Sequence, residues 1–409
     1  MLKICTGENC MEYIGNKSVE DIFCVYNALN TDQSHFTSRD DICTPMECVK
    51  TMIDYIPKEL WKRKNLRILD ACCGNGNFGA YCQFKTDINN IYFNDINDKR
   101  LQNCKTLLNP AHVMKMDILS MLDYGQWDLI MANPPYSGGG NKNQSLSNDI
   151  IRHCITLLKK DGYLCFVTPN NWMTYNSNNE TLKDLLSQGH FIVIDNDAKK
   201  YFPTVGSSFT IFVWQKNNEI APTLVKNNFL CKDEQYVLIP KDLKFIPLYL
   251  SQDVINIITK VMSPDRNCFD YRCDLHNFTQ KNKLSDTQDS IFKYKTIHTA
   301  RKTRFANMKQ DIYDKWIIVV PLSTYFIPYI CHNVNVTQSV GYIAFDTQQA
   351  AQDFLKIMKQ NWLKLIVHIT RYGNFNNIMV LRYINFNYHE PFSSTEQETI
   401  DNLIKWIKY

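Results

Sequence analysis

The sequence predicts an α/β protein, with a doubly wound, largely parallel sheet of seven strands followed by a second, α+β domain. Three observations predict it. Between about residues 66 and 214, short apolar runs alternate with helix-like segments, the order that builds a parallel sheet with helices on both faces. Polar motifs fall at the carboxyl ends of those runs, where such sheets bind ligands. Beyond Trp214 the apolar runs become irregular, and Asn, Lys and aromatic residues increase. Domains are therefore expected over residues 1–220 and 221–409.

The expected strands are Leu66–Leu69, Ile91–Phe93, Val113–Met116, Leu129–Ala132, Tyr163–Val167, Phe191–Ile194 and Phe209–Trp214. Most are continuous apolar runs rather than alternating ones, as befits strands covered on both faces. Helices are expected at Asp149–Lys160 and Thr181–Ser187. Upstream, Thr44-Pro45-Met46-Glu47 reads as a helix start running toward Tyr55, with Thr44 as cap and Glu47 closing a capping box. Residues 217–235 read as a linker or the entry to the second domain. Amphipathic helices are expected there at Asp253–Met262, Thr347–Gln360 and Thr395–Ile407.

The 409 residues are 44% hydrophobic and 12% aromatic, enough for a sizeable core and unlike a disordered chain. The net charge of +4 is unevenly spread. Residues 1–220 hold 22 Lys and Arg against 24 Asp and Glu, whereas residues 221–409 hold 23 against 17. A near-neutral first half and a basic second half fit a core joined to a module that faces a polyanion, although chance variation also gives such a split. The 15 cysteines include no Cys-x-x-Cys pair, so neither a metal site nor a disulfide framework is indicated. So many thiols imply a reducing compartment. The N-terminus lacks the pattern of a signal peptide. The longest apolar stretch, Trp316 to Ile330, contains two prolines and is too short to span a bilayer. A soluble intracellular protein without membrane contact is expected.

Two constellations carry chemistry. The first strand leads into Asp70-Ala71-Cys72-Cys73-Gly74-Asn75-Gly76-Asn77-Phe78-Gly79. Its glycines allow a tight turn and close approach to a ligand, and Asp70 is expected to face that ligand. Asp95, with Ile96, ends the second strand, where an acid accepts from ribose hydroxyls. Asp117, with Ile118, ends the third, placed to accept from an adenine amino group. Gly74-x-Gly76-x-x-Gly79 also satisfies the dinucleotide fingerprint, so a nicotinamide enzyme competes until the second motif is weighed.

That motif is Asn133-Pro134-Pro135-Tyr136, after the fourth strand. An amino group conjugated to a purine is a poor nucleophile because its lone pair is delocalised into the ring. Two acceptors, the Asn133 side-chain oxygen and the Pro134 carbonyl, hold both N–H bonds and favour a pyramidal nitrogen. Tyr136 offers a ring for an extruded base to stack on. Gly138-Gly139-Gly140 then reads as a mobile loop or a plain turn.

In order, Thr44-Pro45, Asp70 through Gly76, Asp95, Asp117 and Asn133 through Tyr136 resemble the gamma group of DNA adenine-N6 methyltransferases of type II restriction-modification systems. The resemblance covers roughly residues 37–214. It implies a Rossmann-like catalytic domain, S-adenosylmethionine as cofactor, double-stranded DNA as substrate, and a target-recognition domain after the core. It is compatible with a separate cognate restriction endonuclease and with a monomer. It assigns the methionine end of the cofactor to Thr44, Asp70, Cys72, Gly74 and Gly76, the ribose to Asp95 and Ile96, and the adenine to Asp117 and Ile118. Asn133 borders both cofactor and substrate, and Pro134 and Pro135 complete the catalytic turn. Tyr201 through Ser208 resembles the segment whose aromatic residue sandwiches a flipped base, which makes Phe202 the face opposite Tyr136. Plain core packing is the competing role for Phe202.

The second half carries Lys293, Lys295, Arg301, Lys302 and Arg304 interleaved with Phe292, Tyr294 and Phe305, a pattern suited to phosphate neutralisation and guanine readout or to a solvated surface. Arg371 and Asn374, near Gly373, form a second candidate contact or a polar loop. Protein glutamine-N5 methylation shares the tetrapeptide but usually has a small domain before the glycine loop and little after the last strand. Cytosine-N4 enzymes usually begin it with Ser. RNA adenine methylation and a catalytically silent DNA-binding module remain as alternatives.

Overall fold

The computed structural model describes residues 13–15, 17–31, 42–136, 146–175, 179–203, 208–226, 234–276, 279–322, 326–372 and 376–407. The chain divides into two compact units, one comprising residues up to Trp172 together with Glu180–Leu243, the other Met173–Asn179 together with Lys244 onward. The expected boundary after residue 220 thus falls inside the first unit.

All seven expected strands form in the first unit: β1 (Ile68–Asp70), β2 (Ile91–Asn94), β3 (His112–Met114), β4 (Trp127–Ala132), β5 (Leu158–Pro169), β6 (His190–Asp195) and β7 (Phe209–Gln215). The sheet has nine strands rather than seven, because β8 (Thr223–Lys226) and β9 (Gln235–Val237) extend it in the order β3-β2-β1-β4-β5-β7-β6-β8-β9. β8 pairs parallel to β6, with Val193 opposite Leu224. It buries only alternate residues, so it lacks the continuous apolar run that marks β1, β4 and β7, and the sequence reads it as linker. β7 runs antiparallel to both β5 and β6. That reversal departs from the 3-2-1-4-5-6 order of dinucleotide-binding sheets.

Helices α1 (Val19–Thr31), α2 (Met46–Asp54), α3 (Asn77–Cys82), α4 (Asp98–Leu108), α5 (Leu146–Leu157) and α6 (Glu180–Gln188) belong to this unit. Met46, Val49, Met52 and Ile53 of α2 join Ile22 and Tyr26 of α1 in one core with Ile68, Phe93 and Leu129 of the strands. The expected helix to Lys160 stops at Leu157, because Leu158 already pairs with Trp127 in the sheet and the Lys159 ammonium reaches Asp128 at 2.7 Å. α2 starts one residue later than expected, with Pro45 in the capping position and no side-chain cap. The capping box at Thr44 and Glu47 does not form, since the Thr44 hydroxyl is engaged elsewhere.

The second unit is α+β. One sheet orders β10 (Asp270–Tyr271), β17 (Val340–Phe345), β14 (Trp316–Pro321) and β15 (Tyr329–His332), and a second orders β11 (Leu284–Ser285), β13 (Thr303–Ala306), β12 (Tyr294–Ile297) and β16 (Asn335–Val336). Its helices are α7 (Gln252–Val261), α8 (Gln348–Met358), α9 (Asn361–Ile369), α10 (Ile378–Leu381) and α11 (Ser394–Trp406). The Ser251, Thr347 and Ser393 side chains cap α7, α8 and α11, the last in a complete capping box with Glu396, each cap being worth ~1 kcal/mol.

His368 on α9 stacks on Tyr249 at 5.6 Å. Burial, reinforced by Arg371, pushes its imidazole down from the ordinary 6.5 to about 4. The unfolded chain binds the proton near pH 6.5 and the folded one only near pH 4, so stability falls as pH drops across that window and is unaffected above it. The loss is at most about 3 kcal/mol. Denaturant unfolding of His368→Phe, which keeps the stack, should show a flatter stability profile between those pH values than wild type. Parallel profiles would contradict the assignment.

Candidate active site

β1, β2 and β4 end side by side, with Asp70 opposite Phe93 and Met131. The loops leaving these ends enclose a cavity of about 580 Å³, lined by Thr44, the Cys72–Asn75 loop, Asn94 to Asn97, Met116 to Ile118 and Asn133 to Tyr136. That volume suits a nucleoside-sized ligand.

The glycine loop is pinned by backbone bonds to both neighbouring strands. Ala71 N–H donates to Met131 O at 3.0 Å, and Cys73 N–H donates to Asn94 O at 2.9 Å. Gly74 (φ 54°) and Gly76 (φ 90°) both take left-handed conformations, which glycine adopts at little cost. A Cβ at Gly76 would lie 2.8 Å from Leu108 and 2.9 Å from Cys104 of α4, and one at Gly79 would lie 2.2 Å from Phe93 of β2. These two glycines therefore serve close packing of loop and helix. Gly76 does not line the cavity, contrary to its expected contact with the cofactor.

Asp70 is also displaced from its expected place. It is fully buried and does not line the cavity. Burial pushes its carboxyl well above the usual range, Asp95 adds to this, and the Gly79 backbone N–H partly opposes it. Asp95 does line the cavity. Its Oδ2 accepts from Gly74 N–H and its Oδ1 from Asn97 N–H, both at 2.8 Å, so it braces the glycine loop as well as facing the cavity. Asp117 is exposed and accepts from Leu119 N–H through Oδ1 at 3.0 Å. Cys72, Gly74, Ile96 and Ile118 line the wall.

Asn133 stands one residue past β4. Its Nδ2 donates to Thr44 Oγ1 at 3.0 Å and to Ile42 O at 3.2 Å. Its Oδ1 accepts from the Tyr136 hydroxyl at 2.7 Å. Burial raises the Tyr136 phenol well above its ordinary range, with the Asn133 bond opposing. Among the described residues no donor reaches the Pro134 carbonyl. Pro134 is buried, Pro135 is exposed, and both line the cavity. Phe202 does not join them. It is 2% exposed and packs on Phe209 at 4.7 Å, while Tyr136 meets the edge of the same Phe209 at 5.3 Å. Phe202 packs in the core here and is not part of the cavity wall. Gly138–Gly140 lie outside the described residues.

Several site residues escaped sequence reasoning. Asn94, 1% exposed, donates to Ala71 O and Met116 O at 3.1 Å each, tying three strand ends together. Asn77 and Asn30 both donate to the Thr44 carbonyl, at 2.8 and 3.3 Å, and the Tyr26 hydroxyl donates to Asn75 O at 3.2 Å. α1 thus buttresses the site from a segment whose sequence gave no functional signal. Arg100 on α4, 7% exposed, also lines the cavity.

In the second unit Lys293, Lys295, Arg301 and Lys302 are exposed. Lys302 and Arg304 both pair with Asp286, at 3.2 and 2.7 Å, and the Arg304 side chain is only 14% exposed. Arg304 is therefore mainly structural, and Lys293, Lys295 and Arg301 are the better placed cations. Arg371 is half-buried, and Asn374 lies outside the described residues.

Residues 50–201 match the family described as "Methyltransferase small domain". Among curated proteins nothing matches. Among solved structures, the type IIL restriction-modification enzyme MmeI in complex with DNA is 11% identical, with a TM-score of 0.56 over 94% of this chain and 70% of that one. The DrdV–DNA complex is 11% identical, with a TM-score of 0.53 over 94% of this chain and 59% of that one. A Listeria monocytogenes protein described as a class I S-adenosylmethionine-dependent methyltransferase is 19% identical, with a TM-score of 0.41 over 50% of this chain and 70% of that one. The first unit has the Rossmann-like methyltransferase fold, and its cofactor is S-adenosylmethionine. The cavity suits that molecule chemically. Asp95 and Asp117 offer acceptors for hydroxyl and amino donors, Ile96, Ile118, Leu146 and Ile150 offer apolar wall for a purine, and among the described residues two carboxylates and Arg100 are the charged groups on the wall, a balance that suits a net cation.

Proposed function

We propose that the chain methylates N6 of adenine in DNA, and that the second unit reads the target. The observation that carries this reading is Asn133-Pro134-Pro135-Tyr136 at the carboxyl end of β4, on the wall of the same cavity as Gly74, Asp95 and Asp117. Bound S-adenosylmethionine supplies an electrophilic sulfonium methyl group. Asn133 Oδ1 and the Pro134 carbonyl accept the two amino hydrogens of the target base, and orienting that nitrogen supplies much of the rate. Tyr136 gives the base a ring face once its hydroxyl leaves Asn133.

That hydroxyl competes with the substrate. Tyr136→Phe keeps the ring but frees Asn133 Oδ1, removing a hydrogen bond worth ~1 kcal/mol net. KM for DNA is expected to fall a few-fold with kcat little changed. A large fall in kcat would instead give the hydroxyl a direct role in the reaction.

Two considerations support DNA over other amino substrates. MmeI and DrdV are both DNA complexes, and their likeness of fold spans 94% of this chain, so it includes the second unit. Lys293, Lys295 and Arg301 are exposed on and beside the β12–β13 hairpin and make no ion pair among the described residues. Lys295→Ala combined with Arg301→Ala should weaken DNA binding and reduce the slope of log affinity against log salt by about 2. An unchanged slope would remove the hairpin from the interface. The proposal as a whole is tested by methylation of unmethylated DNA with labelled cofactor.

A further inference from the structure

Asn133 is useful as an acceptor only if its oxygen, and not its nitrogen, faces the substrate. The two ends of the amide have nearly the same shape, so the surroundings must choose between them. On one side lie the Ile42 carbonyl, which can only accept, and the Thr44 hydroxyl. A flipped amide would set Oδ1 against the Ile42 carbonyl and lose that bond. Thr44 is itself held firmly. Its carbonyl takes the Asn77 and Asn30 amide donors, it is 5% exposed, and Asn77 is 4% exposed. Its hydroxyl caps no helix.

From this arrangement, and resting on the reading of Asn133 as the amino-group acceptor, we infer that Thr44 is a positioning residue for catalysis. The Ile42 carbonyl, which can only accept, turns Oδ1 of the Asn133 amide outward, and the Thr44 hydroxyl holds the amide in that orientation. α1 and α3 rigidify that lock through the two amides on the Thr44 carbonyl. Thr44 therefore acts on the transfer step through Asn133, in addition to bordering the cofactor cavity.

The test uses the full chain as wild type, Thr44→Val and Thr44→Ser. Methyl transfer to DNA gives kcat and KM, and calorimetry gives the affinity for S-adenosylmethionine. Thr44→Val is expected to lower kcat about tenfold, the scale of one lost hydrogen bond, at saturating S-adenosylmethionine, so that any change in cofactor affinity is read separately. Thr44→Ser should restore kcat. A loss confined to cofactor affinity would make Thr44 a cofactor ligand and overturn the inference, as would equal defects in the Val and Ser variants, which would indicate packing. A second readout does not depend on turnover. In chain labelled with ¹⁵N at asparagine side chains, the Asn133 amide signal, assigned by its loss in Asn133→Asp, should be protected from hydrogen exchange in wild type and Thr44→Ser and exposed in Thr44→Val. An unchanged signal in Thr44→Val overturns the lock even if the enzyme methylates DNA. Protection lost as expected in a chain that methylates no DNA retains the lock and rejects the substrate reading alone.

Discussion

Asn133→Ala is expected to lower kcat for methyl transfer by roughly 10²–10³, the scale seen when one preorganised polar contact to a transition state is removed. DNA and cofactor affinities should change far less. The amide oxygen gains its value as the target nitrogen becomes pyramidal, so its loss falls on turnover rather than on ground-state binding. The substitution also leaves the Thr44 hydroxyl and the Ile42 carbonyl without the donor they share. Both lie at the cavity wall, where water can replace that donor, so a modest stability loss of about 1 kcal/mol is expected. Single-turnover kinetics separate the two effects. A variant with wild-type turnover would remove Asn133 from the chemistry.

Asp95→Ala should weaken S-adenosylmethionine binding by roughly 10- to 100-fold. A hydrogen bond to a charged group is worth about 1.5–3 kcal/mol, and each 1.4 kcal/mol is about tenfold. Two losses coincide in this variant. The cavity loses an acceptor, and Gly74 N–H and Asn97 N–H lose theirs, which loosens the glycine loop at its left-handed turn. Asp95→Asn keeps one acceptor oxygen and should fall between wild type and Ala. Calorimetric titration gives the three affinities directly. An affinity within twofold of wild type in the Ala variant would show that Asp95 braces nothing the cofactor needs.

Much of the first unit was legible because its central strands β1, β4 and β7 are buried on both faces and so appear as unbroken apolar runs. The motifs at their ends share one cavity because strands in register end together. Legibility failed where a residue's role depends on what packs against it. Gly76 and Gly79 look like ligand-facing glycines in sequence, yet α4 and Phe93 explain them. Phe202 carries the same aromatic signal in a core as at a stacking site, and only its contact with Phe209 separates the two. Thr44 has the spacing of a helix cap, but its hydroxyl is engaged by a side chain 89 residues away, which no local pattern encodes. Asn30 and Asn77 were invisible for the same reason. The pairing of Lys302 and Arg304 with Asp286 redistributes a basic cluster that charge counting treats as uniform.

The most direct test is to incubate the purified chain with labelled S-adenosylmethionine and DNA lacking adenine methylation, then to map methylated bases by sequencing. Adenine-N6 methylation confined to one short motif is the predicted result, and it would assign target reading along with the chemistry. Label absent from DNA and present in RNA or protein would contradict the substrate, and label absent from all three would contradict the enzyme.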